Sequence, residues 1–113
     1  MNRARDLTRR LDLEERQTTP DGAGGFSESW VALGTLWAAL EPGRGREIDA
    51  AAGALARLPW RITLRGARAG RPRRPRPGQR LTDGARRFAV LAVAEADPQG
   101  RYLTCFAEEE VAP

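Results

Sequence analysis

Apolar and polar residues alternate along most of this chain, which is the pattern of half-buried β-strands. WRITLRG shows it most cleanly: Trp60, Ile62 and Leu64 share one face, and Arg61, Thr63 and Arg65 the other. The same period of two predicts strands over Arg10–Gln17 (Leu11, Leu13, Glu15), Arg80–Gly84, Arg86–Ala94 and Tyr102–Glu108. In Arg86–Ala94, Phe88, Val90 and Ala92 oppose Ala89, Leu91 and Val93; in Tyr102–Glu108, Leu103, Cys105 and Ala107 oppose Tyr102, Thr104 and Phe106. Trp30–Glu41, WVALGTLWAALE, is apolar on both parities, as a long strand is where a sheet bends, and Gly34 is a candidate bulge within it.

Two segments break the period. Arg44–Leu58 is rich in alanine, and Glu47, Ala50, Ala51, Ala54, Leu55 and Leu58 can share one broad helical face, so a short inserted helix ending at Pro59 is expected. Thr18–Phe26 carries Pro-Asp-Gly and a Gly24-Gly25 pair. Without a Gly-Lys-Ser/Thr sequel it reads as a hairpin loop, not a phosphate cradle. Residues 1–9 are expected to be a flexible arm. A chain of 113 residues then fits a single domain, mainly β: a small antiparallel β-barrel of SH3- or OB-like size, five or six strands with the short helix inserted and long loops.

Composition narrows the chemistry. Histidine is absent and Cys105 is the one cysteine, so the usual catalytic triads, Cys/His zinc sites and an intrachain disulfide are excluded. Cys105 lies in an apolar strand pattern and reads as a buried, inert thiol. The acids at Asp12, Glu14, Glu15 and Glu108–Glu110 read as solvated surface charge, not as a cation site or a catalytic pair. No enzyme activity, metal or cofactor is therefore expected. No segment approaches a membrane span or a signal peptide, and a cytoplasmic protein, or one in an assembly built there, is the default.

Charge changes the picture more. The net charge is only +4, but Arg57–Arg87 holds eleven arginines against one acid, Asp83, so that segment carries +10 and the remainder −6. Its centre is RAGRPRRPRPG, residues 68–78, with five arginines and three prolines. Arg68, Arg71, Arg73, Arg74 and Arg76 can each meet a phosphate, giving salt-dependent and sequence-blind affinity. Proline spacing precludes a major-groove helix, and no aromatic residue interleaves the arginines to stack on bases. Two other readings stand beside DNA contact: a solvated, extended, partly polyproline-like loop, and an arm docking on the carboxylates of an adjacent subunit.

In order, the motifs RRLDLEERQ, DGAGGFSESW ending at Trp30, TLWAALEPGRGREIDAAAG, WRITLRG, PGQRLTDGARRFAVLAV and YLTCFAEE resemble the phage head–tail adaptor, or head-closure (stopper), proteins. Trp37–Pro42 with Arg46, Glu47 and Ala50 is similar to that family's tryptophan-alanine stretch, turn and glutamate-alanine segment. The resemblance implies a structural ring component, a small barrel with an inserted helix. Such a ring joins the portal-side adaptor to the tail terminator or tail tube protein and lines or closes the DNA channel. Its partners would be further copies of itself in a hexamer and packaged double-stranded DNA, with no membrane. It would sit at the head–tail junction of a virion or phage-like particle assembled in the bacterial cytoplasm, and an arginine-only, alanine-rich chain suits a gene transfer agent of that kind.

Under this reading Arg44, Arg46, Glu47 and Asp49 of the insertion are expected at the ring interface. Asp21, Phe26 and Glu28 are expected to face the next ring, and the five loop arginines a subunit or the DNA channel. Trp30, Trp37, Trp60, Ile62, Phe88, Val90 and Phe106 occupy strand-periodic positions and are expected in the core. The departure from the family lies at residues 68–77, where typical members carry an acidic or mixed polar segment. The alternatives are a free small β-barrel that binds nucleic acid through Arg57–Arg87, and an interaction module unrelated to virions.

Overall fold

The computed structural model describes residues 6–43, 47–49 and 55–111. Seven strands follow one another: β1 (Arg9–Pro20), β2 (Phe26–Pro42), β3 (Glu47–Asp49), β4 (Leu55–Arg65), β5 (Arg80–Asp83), β6 (Arg86–Glu95) and β7 (Tyr102–Val111). They form one antiparallel sheet in the order β2-β1-β5-β6-β7-β4-β3, and the C-terminal end of β2 makes a further pairing with β4, Ala38 opposite Leu64 through Pro42 opposite Trp60.

Two expectations need correction here. No helix occurs among the described residues: Glu47–Asp49 is an edge strand paired with Leu55–Arg57, and Leu55–Leu58 opens β4. Alanine-rich helical propensity is worth only tenths of a kcal/mol per residue. Sheet pairing on both sides, with β3 and with Ala56–Pro59 against Glu108–Val111 of β7, outweighs it. Residues 44–46 and 50–54 of the expected insertion, like residues 1–5 of the expected arm, lie outside the described residues. Nor is the architecture the expected small β-barrel of five or six strands. It is a strongly coiled sheet of seven, with β3 on its edge and a long two-stranded ribbon running out of it. β1 pairs over its whole length with Phe26–Ala38 of β2, from Arg9 opposite Ala38 to Pro20 opposite Phe26, whereas β5 reaches only Asp12–Glu14 of β1. The expected loop at Thr18–Phe26 thus shrinks to residues 21–25. The molecule measures 52 × 34 × 22 Å, and its radius of gyration, 15.4 Å, exceeds the ~13 Å of a compact chain this long.

Bulges set which side chains face inward. In β1/β2 the register shifts between Leu13 and Glu14, leaving Leu33 of β2 without a cross-strand partner. In β6/β7 it shifts between Val90 and Ala92, around Leu91. The second bulge reverses the expected parity: Phe88 and Val90 face inward, but beyond Leu91 it is Val93, not Ala92, that packs on the core. Each bulge also bends its strand, which lets one sheet enclose Leu11, Leu13, Ala38, Ile62, Leu64, Leu81, Phe88, Val90, Cys105 and Ala107. Trp60 packs edge-on against Phe88, ring centroids 6.0 Å apart.

Candidate functional site

Three regions hold the expected contact residues, and the basic loop between β4 and β5 is the most developed. It is neither an extended arm nor polyproline-like. Three successive four-residue turns fold it, closed by Arg71 N–H to Arg68 C=O (3.1 Å), Arg74 N–H to Arg71 C=O (3.0 Å) and Gln79 N–H to Arg76 C=O (3.1 Å). The prolines supply the geometry: Pro72 and Pro77 hold the second position of their turns, where φ near −65° is required. Gly70 (φ 89°) and Gly78 (φ 95°) hold third positions that need positive φ. Pro77-Gly78 is a turn signal in the sequence that composition alone obscured.

The loop is fastened to the sheet at its base. Glu15 Oε1 accepts from Arg76 (2.6 Å) and from the Gln79 side-chain amide (2.8 Å), while Gln79 Oε1 accepts the Arg76 backbone N–H (2.8 Å). Gly78 and Gln79 pair with Val90 through backbone hydrogen bonds. Gln79 is only 5% exposed, and Pro75 is fully buried beside the core. Arg74 donates to the Ala67 carbonyl at 3.0 Å. The Gln79 amide and the Arg76 guanidinium hold the Glu15 carboxyl below its ordinary range. Glu15 and Gln79 are anchors of the loop that sequence reasoning missed: Glu15 read as surface charge, and its partners lie more than sixty positions away.

Five loop arginines thus separate into two sets. Arg74 and Arg76 bond within the protein. Arg68, Arg71 and Arg73 are exposed and make no side-chain hydrogen bond or ion pair with any described residue.

The second site is the tip of the β1/β2 ribbon. Asp21 Oδ1 accepts the N–H groups of Ala23 (2.8 Å) and Gly25 (3.1 Å), and Asp21 N–H donates to the Gly25 carbonyl. Those amides hold its carboxyl below the ordinary value. Glu28 pairs with Arg16 across the ribbon at 3.2 Å, and Phe26 is 72% exposed. Asp21 is therefore committed to shaping the turn, while Phe26 presents an apolar ring at the end of a projecting rod. The third site is the expected ring-interface insertion. Its Glu47 and Asp49 lie on the edge strand β3, and its Arg44 and Arg46 lie outside the described residues.

The expected core residues divide. Ile62, Phe88 and Val90 are buried, and Trp30 and Trp60 are partly buried, Trp30 beneath the Arg80 guanidinium at 4.0 Å from the ring centre. Trp37 and Phe106 are not core: they are 55% and 42% exposed. Both fall on the outer parity of their strands, Trp37 beside inward Leu36 and Ala38, Phe106 beside inward Cys105 and Ala107, and one sheet can bury only one face. Burial pushes the Cys105 thiol up to about 12, which leaves it protonated and inert. Opposite the basic loop, Trp60, Arg86 and Glu109 close the core. Glu109 accepts from Trp60 Nε1 (3.0 Å) and from two nitrogens of Arg86 (2.7 and 3.0 Å). Among the described residues no cluster of acids, cysteine or histidine suits a metal ion, and no helix is long and apolar enough to cross a membrane.

Comparison with known proteins agrees with this geometry. Residues 2–110 match the profile of a family described as phage head completion protein. The fold is similar to a chain in a solved structure described as the virion of a native gene transfer agent particle. That chain is 47% identical, the TM-score is 0.82, and the match covers 94% of this chain and 96% of that one. No curated protein matches.

Proposed function

Because the chain belongs to the phage head completion protein family, we propose that it works as one subunit of a six-membered ring that surrounds the DNA channel. The protein is a structural component of a phage-like virion at the head–tail junction, and it is not an enzyme. The observation that carries this reading is 47% identity over nearly the full length to a chain of an assembled gene transfer agent virion. It also sets aside a free nucleic-acid-binding barrel and a module unrelated to virions.

Connection of two larger assemblies demands contacts on opposite sides of a thin subunit, and the shape supports that. The ribbon carries Phe26 and Glu28 away from the body, suited to the tail-side or head-side neighbouring ring. The β3 edge, with Glu47 and Asp49, is suited to a neighbouring copy, because an edge strand presents unpaired backbone groups. The flanking rings would be the portal-side adaptor and the tail terminator or tail tube protein. Trp37 and Phe106, exposed on the outer sheet face, are available as apolar anchors for such contacts.

Deleting the coding region from the particle-producing cell tests the role. Empty heads, tailless heads or leakage of packaged DNA are expected, with restoration by the intact chain in trans. Filled, tailed particles in normal yield after deletion would refute it.

A further inference from the structure

We infer that the basic loop is functionally divided: Arg74 and Arg76 hold its fold, while Arg68, Arg71 and Arg73 form a sequence-blind contact for the phosphodiester backbone of double-stranded DNA. This deepens the connector reading and rests on it, since that reading puts the subunit in a ring around packaged DNA.

Arg9, Arg16, Arg57, Arg61, Arg76, Arg80, Arg86 and Arg101 each have a carboxylate partner within the chain. The three loop arginines have none among the described residues. Arg10, Arg65 and Arg87 have none either, but they lie on three different strands, whereas Arg68, Arg71 and Arg73 share one loop that is ordered by turns and tied down at Glu15, Gln79 and Val90. Two consecutive turns keep the Cα atoms of Arg68 and Arg71 within about 7 Å, with Arg73 inside the second turn. Three like charges are thus held together on a prefolded support, so little conformational entropy remains to be lost on binding.

Their partner must be strongly anionic, and a second copy of this chain is poorly suited. Its carboxylates at Glu14, Glu15, Glu28, Glu41, Asp83, Asp97, Glu109 and Glu110 are already in ion pairs. Asp12 accepts from the Thr35 hydroxyl, and Asp21 from its turn amides. Of the acids on the paired strands, Glu95 and Glu108 stand outside such pairs, and they lie at opposite ends of the β6/β7 pairing, opposite Leu103 and Ala89. Duplex DNA, by contrast, presents one negative charge per about 1.7 Å of its axis. With no aromatic side chain between Arg68 and Gly78, the loop offers nothing to stack on bases, so the contact reads charge and not sequence.

The test measures binding of the purified full-length protein to two 20-base-pair duplexes of unrelated sequence between 50 and 200 mM salt. The unaltered chain is expected to bind both equally, with affinity falling steeply as salt rises. The triple variant Arg68→Gln/Arg71→Gln/Arg73→Gln should flatten the slope of log K against log salt by about 2.7, at about 0.9 per phosphate contact. A second triple variant, Arg57→Gln/Arg61→Gln/Arg101→Gln, removes the same charge from ion-paired positions and should leave the slope nearly unchanged. Equal flattening by both variants would overturn the inference in favour of net charge alone. So would a folded, unaltered chain that fails to bind at 50 mM salt. So would a loop variant that keeps its DNA slope but no longer binds an acidic neighbouring protein of the particle. These outcomes leave the connector reading intact, because that reading falls only with the deletion phenotype.

Discussion

Replacing Glu109 should expose how the end of the core opposite the basic loop is sealed. The Glu109 side chain is 9% exposed and points into the core end, where it accepts three hydrogen bonds, two from Arg86 and one from the Trp60 indole. Breaking a fully buried ion pair costs about 3–5 kcal/mol, and an exposed pair contributes about 0–1 kcal/mol. Arg86 is 40% exposed and can rehydrate once abandoned. The loss for Glu109→Ala should therefore fall between these limits, at about 2 kcal/mol. Arg86→Ala should cost more, about 3 kcal/mol, because the carboxylate it strands is the less hydrated partner. Glu109→Gln keeps an acceptor for Trp60 and should lose about 1 kcal/mol. Urea unfolding of the three variants and of the Glu109→Ala/Arg86→Ala double variant, read as two-state transitions, measures all four values.

Acid should erase the difference between the unaltered chain and Glu109→Gln. The Arg86 hydrogen bonds hold the folded carboxyl below its ordinary 4.5. The stabilisation is thus whole at pH 7, above the unfolded value, and is lost as pH falls from 4.5 through the lower folded value. A cost under about 0.5 kcal/mol for both Glu109→Ala and Arg86→Ala, or a difference from Glu109→Gln that persists at pH 2, would refute the reasoning.

Cys105 should resist thiol reagents at pH 8 in the folded protein and react fully in denaturant; rapid labelling under native conditions would show that the strand opens or that the thiol is not buried. Gly66→Ala should destabilise by about 1–3 kcal/mol in the same urea assay, because an added Cβ there collides with the Gly100 carbonyl across the loop end. Phe26→Ala should leave the thermal midpoint within about 2 °C, since its ring is exposed, yet lower the yield of complete particles. An unstable variant, or one that assembles normally, would refute a docking role for the ribbon tip.

Local pattern carried far in this chain. Alternation at Trp60–Arg65, Arg86–Val90 and Tyr102–Ala107 is visible without a fold, because a strand with one buried face must repeat every two residues. The ordered motifs pointed to the family, and the absence of histidine excludes the usual triads and Cys/His zinc sites. What local pattern could not supply was decided by pairing at a distance. Glu47–Asp49 and Leu55–Leu58 are strands because β4 and β7 offer edges to them, not because their residues prefer extension. Trp37 and Phe106 differ from partly buried Trp60 and buried Phe88 in parity, and a bulge or a register decides parity.

The basic loop shows the same division. Its charge and its prolines are plain in residues 68–78, and those residues alone make the segment cationic, non-helical and free of stacking side chains. Only the tertiary structure separated Arg74 and Arg76 from Arg68, Arg71 and Arg73, because identical side chains differ solely in what lies opposite them. Glu15, on the first strand, becomes a partner for Arg76 once the sheet has coiled, and Arg68, Arg71 and Arg73 have no such neighbour among the described residues.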